Sequence, residues 1–202
     1  KTDFLIMLSL DILVLIVKVF NEKFDELIQM KYFKIAMAIF PLFLALFIWR
    51  LTAIYRSDKE FMVMLDQHLS ARLALGERAM REYPPKLFGQ YVIEKGAGGS
   101  VESNDFYFFI DSSYISITIK YGIVCMVILL AYFGRRLKQL CDNKKSYMIV
   151  ILLLLFIQST MEHHLIQYWY NPFLLMILAD MKGIMNKNAE SDFDKTDLLD
   201  LN

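Results

Sequence analysis

The sequence predicts an all-α integral membrane protein with about four to five transmembrane helices and one large extracytoplasmic loop carrying an amphipathic helix. Three observations predict it. Of the 202 residues 56% are hydrophobic, above the roughly 45–50% of water-soluble domains. The apolar residues are segregated into long runs with almost no charge, and the charges crowd between them. Some of those runs approach the ~20 residues that a helix needs to cross a bilayer. The same composition argues against disorder, which needs low hydrophobicity. The balance of 22 Lys+Arg against 22 Asp+Glu leaves no global basic surface for nucleic acid.

The candidate spans follow in order. Residues 4–20 qualify narrowly, interrupted by Asp11 and Lys18. Residues 35–54 qualify well, with Pro41 as an expected kink. Residues 114–133 qualify, opened by Asp111-Ser112-Ser113, a run suited to capping a helix. Residues 147–161 are strongly apolar and end in Glu162-His163-His164, while 165–179, broken by Asn171-Pro172, form a weaker fifth segment. The organisation expected is two spans in 1–56, an extracytoplasmic loop in 57–111, two or three spans in 112–184 and an acidic, disordered cytoplasmic tail in 185–202. The chain opens on Lys1 and is read as a fragment; its first apolar run, with an Asp and no cleavage site, is no signal peptide.

Orientation follows from the basic residues of the short loops. Lys18, Lys23, Lys31 and Lys34 lie between the first two spans, and Arg135, Arg136, Lys138, Lys144 and Lys145 between the next two. Both groups are expected inside and the long loop outside. Cys125 and Cys141 suggest no disulfide framework.

Within the loop, 57–82 reads as one amphipathic helix, with Phe61, Met64, Leu65, Leu69 and Met80 at helical spacing and Tyr83-Pro84-Pro85 ending it. His68 and Arg72, four apart, would share a face. Arg78 with Glu82 and Arg81 with Glu77 are i,i+4 pairs, each worth about 0.2–0.5 kcal/mol. Arg72 has no acid three or four residues away, and an arginine so placed suits bidentate phosphate binding. Gly89, Gly96, Gly98 and Gly99 form no nucleotide-binding pattern and read as turns. Asp11, Lys18, Arg50, Lys120 and Glu162 lie in or beside apolar spans, where charge is costly and faces a cavity or a partner. Glu162-His163-His164 lacks the HExxH spacing, and adjacent histidines on a helix point about 100° apart, so no metal site is expected. Tyr168, Trp169 and Tyr170 suit an interfacial belt.

Four stretches resemble the C-terminal half of Wzy-type polysaccharide polymerases, within the O-antigen ligase/polymerase superfamily. They are Ser70-Ala71-Arg72, the turn Tyr83-Pro84-Pro85-Lys86-Leu87-Phe88-Gly89, the stretch Phe109-Ile110-Asp111-Ser112-Ser113-Tyr114-Ile115 followed by Lys120-Tyr121-Gly122-Ile123, and Glu162 with Asn171-Pro172-Phe173. The resemblance implies a GT-C-like, metal-independent glycosyltransferase of the bacterial inner membrane with no cofactor. It would join undecaprenyl-diphosphate-linked oligosaccharide repeats into capsular, exopolysaccharide or O-antigen chains. The lipid bilayer, a chain-length regulator and a flippase would be further partners. It assigns diphosphate or sugar contact to Arg72, Arg78, Arg81 and Lys120, and leaves the general base open among Asp111, Glu162 and His68. A ligase is the alternative within the family; a transporter or a non-enzymatic membrane scaffold is the alternative outside it.

Overall fold

A computed structural model of the chain describes residues 26–96 and 107–167. After a helical turn at 26–29 come six longer helices: α1 (Lys31–Ala53), α2 (Glu60–His68), α3 (Arg72–Glu82), α4 (Ser113–Tyr121), α5 (Ile123–Asp142) and α6 (Ser146–Gln158).

The framework is the pairing of α1 with α5, the most extensive helix contact in the fold. Lys34 at the start of α1 reaches Asp142 at the end of α5 (2.8 Å), and Gln29 donates to the Cys141 carbonyl (2.9 Å), so the helices run antiparallel. Gly134 lets them approach: a β-carbon there would lie 2.2 Å from the Ala38 carbonyl oxygen. Small residues that admit a neighbouring backbone are a recurrent device of close helix pairs. Pro41 sits buried inside α1.

Two expected elements are broken, each for a visible reason. The amphipathic helix of 57–82 is two helices, because Ser70 and Ala71 adopt left-handed conformations (φ 56° and 63°). The break is stabilised by Asp66, whose buried carboxylate accepts from the backbone N–H groups of Leu73 (2.8 Å) and Ala74 (3.2 Å). These are amides that the first turn of a helix otherwise leaves without partners. Helix α3 then packs on the end of α1, with Gly76 against Thr52 and against Ile115 of α4.

The expected span 114–133 is divided at Gly122 (φ 98°), which no residue with a β-carbon adopts easily. Into this break comes the turn at 86–90. Ile123 donates to the Lys86 carbonyl (3.0 Å), Val124 to that of Leu87 (3.2 Å), and Gln90 to those of Ile119 and Lys120 (3.2 Å each). Gly89 (φ 80°) and Gly122 face each other across this contact, where a β-carbon at either would strike backbone at 2.2–2.3 Å. The short helix α4 is buried along Ser113–Ile119, and the phenol of Tyr114 donates to the Phe156 carbonyl of α6 (3.1 Å).

The expectation of four to five transmembrane helices is therefore corrected. Among the described residues one helix, α1, is long and apolar enough to cross a membrane. The span at 114–133 is split by Gly122, and that at 147–161 is a 13-residue helix, about 20 Å long. The segment 4–20 with Asp11 and Lys18, most of 165–179, Gly98, Gly99 and the tail 185–202 lie outside the described residues.

Candidate functional site

Four of the residues singled out in the sequence come together where the end of α6 meets the start of α4: Arg72, Asp111, Lys120 and Glu162. They arrive from separate segments. Arg72 opens α3 directly after the left-handed break, so that its side chain leaves toward the turn after α6. There its Nη2 meets Glu162 Oε1 at 2.7 Å, with the two side chains 19% and 12% exposed. Arg72 has no local acidic partner in the sequence; it has this one, ninety residues away. Lys120, in the last turn of α4, bonds Glu94 Oε2 at 2.6 Å, and the other Glu94 oxygen accepts from the Ile110 N–H at 3.2 Å. Glu94 is brought there by backbone pairing of Lys95 with Phe108 (2.8 and 3.0 Å).

Asp111 lies half-buried just before α4. Burial raises its carboxyl above the ordinary value; Arg72 opposes this, while Glu162 and Glu94 reinforce it. Three acids thus face two strong cations, and the remaining acid is the one pushed toward its neutral form. Tyr107, beside them, has its phenol raised by burial and by Asp111. Asp111 does not cap α4: the helix opens at Ser113 with Ser112 in the capping position, and no side chain closes it.

Ser113 has the structural task instead. Its N–H (3.2 Å) and its hydroxyl both donate to the Glu162 carbonyl, and its Oγ accepts from the Leu165 N–H (3.0 Å). The turn after α6 is thereby fixed on the start of α4. Glu162-His163-His164 lies on this turn and not on a helix, so the helical divergence of adjacent histidines does not apply to it. One donor atom from each of the three lies within 4.8 Å of the others. His164 Nε2 is 3.8 Å from Glu162 Oε2, the imidazole rings are 4.4 Å apart between centroids, and His163 packs edge-on against Phe109. Burial and His164 shift His163 toward its neutral form, against the pull of Glu162.

The other expected site residues lie elsewhere. His68 ends α2, exposed, with Nδ1 at 2.8 Å from the Met64 carbonyl, and the break at 70–71 removes it from the face of Arg72. Arg78 pairs with Glu82 (2.7 Å) and Arg81 with Glu77 (3.8 Å), as the spacing predicts, and Arg78 also lies over the Phe108 ring. Sequence reasoning missed Glu94 and Asp66. Each is a lone acid in an apolar stretch (Tyr91-Val92-Ile93-Glu94 and Met62-Val63-Met64-Leu65-Asp66), and that isolation was the available signal.

No family model, no curated protein and no solved structure matches this chain. The resemblance to Wzy-type polymerases is corrected accordingly, and the structure shows what its motifs do instead. Ser70-Ala71-Arg72 is a left-handed helix break, and Tyr83–Gly89 leads into the turn that closes on the split at Gly122. Lys120-Tyr121-Gly122-Ile123 ends one helix and starts another. With them go the multi-span GT-C-like architecture, the repeat-unit polymerase or ligase and the metal-independent glycosyltransferase, because one membrane-length helix among the described residues does not build that bundle. The multi-pass inner-membrane topology, with 57–111 as a separate outer loop, is corrected too: α3 packs on α1 and the turn at 86–90 enters between α4 and α5.

Proposed function

We propose that the chain is a helical binding module that docks on an anionic lipid bilayer through one face of the α1–α5 pair. The observation that carries this reading is a continuous stripe of exposed apolar side chains ending in a basic cluster. On α1 the stripe comprises Ile35, Ile39, Leu42, Phe43, Leu46 and Phe47 at helical spacing. The other described residues leave most of this helix uncovered, unlike the core helix of a globular domain. On α5, Ile123, Val124, Val127 and Ile128 are exposed in the same way. The antiparallel register sets the exposed residues of α5 at the level of the C-terminal half of α1.

That register also collects charge. Lys31 at the start of α1 and Arg135, Lys138 and Lys144 toward and beyond the end of α5 are all exposed, at the end marked by the Lys34–Asp142 pair. Each basic residue near an anionic surface contributes about 1 kcal/mol of attraction. From Lys31 to Arg50, at the far end of the stripe, α1 extends about 28 Å. Apolar patches this long on a protein surface mark an interaction face, and the basic end makes anionic lipid the complementary partner.

The test is flotation of the full chain with vesicles of phosphatidylcholine alone and with added phosphatidylglycerol. Flotation should rise with the anionic fraction, and Phe43→Glu with Ile128→Glu should abolish it. A chain that stays in the protein fraction at every composition overturns the reading.

A further inference from the structure

We propose that the turn after α6 is a metal site of the zinc class, with Glu162, His163 and His164 as its protein ligands. The inference does not rest on bilayer docking.

Two imidazoles and a carboxylate are a ligand set that zinc sites use when a coordination position is left for water or a bound molecule. Nitrogen donors select this class over magnesium or calcium, which take oxygen ligands. The donor atoms already lie within 4.8 Å of one another, with the His164–Glu162 pair at 3.8 Å. Ligands about 2.0–2.2 Å from a tetrahedral ion lie roughly 3.3 Å apart, so contraction by side-chain torsions completes the site.

The surroundings are those of a prepared carboxylate ligand. Arg72 holds Glu162 Oε1, while Oε2 is the oxygen turned toward His164. Outer hydrogen bonds of this kind orient metal-binding carboxylates. The backbone is fixed as well, since Ser113 takes the Glu162 carbonyl with two donors and accepts from Leu165 beyond the histidines. The three ligands are therefore consecutive residues on a turn clamped at both sides.

Titration of the full chain in detergent micelles with Co²⁺, a visible-absorbing probe of zinc sites, should show one equivalent bound and displaced by Zn²⁺. His163→Ala and His164→Ala should each weaken Co²⁺ binding by about tenfold or more, and the double variant should lose it, while His68→Ala leaves it unchanged. An absence of cobalt absorption, or a double variant that binds like the parent, overturns the site. Should the double variant fail to fold, the parent chain decides. One equivalent of zinc should protect His163 and His164, but not His68, from diethyl pyrocarbonate, and equal modification with and without zinc overturns the assignment. Loss of flotation with zinc binding intact, or the reverse, separates this proposal from bilayer docking.

Discussion

The α1–α5 pair and the charged cluster around Arg72 handle charge in opposite ways. On the pair, basic side chains stand exposed at one end of an apolar surface, with Lys34–Asp142 as a local tie. In the cluster, Arg72 and Lys120 are each bound to an acid from a distant segment, and the surplus acid is Asp111. Exposed charge of the first kind adds little to stability and much to attraction for a surface. Partly buried charge of the second kind fixes which segments meet, because separating the partners leaves an ion in a poorer solvent than water. One region holds its charge at the surface, and the other pairs its charge between segments of the fold.

That contrast can be broken at either region. Gly134→Leu should have the largest effect: its side chain would be forced into the Ala38 carbonyl, separating α1 from α5 at a cost of about 3 kcal/mol or more, read from urea unfolding. Arg72→Met leaves Glu162 without its cation and should cost about 3 kcal/mol. Combining it with Glu162→Met should restore most of the loss, which a double-mutant cycle measures; simple additivity would show that the pair does not act as a unit. Asp66→Ala removes the acceptor for the first amides of α3 and should cost about 1–2 kcal/mol.

Asp111→Asn should act in the other direction. Because the folded-state pKa is raised by burial, ionising Asp111 lowers stability as pH climbs from its ordinary 3.8 through the folded value. The variant should melt higher than the parent at neutral pH and equally at acid pH below that range, as thermal unfolding against pH would show. At the small end, Arg81→Ala should change stability by less than about 0.5 kcal/mol, since its pair with Glu77 is on the surface.

The sequence by itself determined that the chain is helical, where α1 runs, that Tyr83-Pro84-Pro85 stops a helix, and that Arg78 and Arg81 have neighbours one turn away. These are local properties, set by apolar spacing and by contacts three or four residues apart. It marked Lys120 and Glu162 because charge beside apolar runs requires a partner, Arg72 because it has no acid three or four residues away, and Asp111 as the residue opening a helix. Only the tertiary structure decided the partners. Arg72 meets Glu162, Lys120 meets Glu94, and Asp66 stabilises a break that the hydrophobic periodicity carried straight through. The split at Gly122 was hidden for the same reason: the backbone groups it frees are satisfied by residues 86–90, far away in the sequence. Periodicity records which face of a segment is apolar; what lies against that face, and whether the segment stays whole, is settled by groups that the chain brings in from elsewhere.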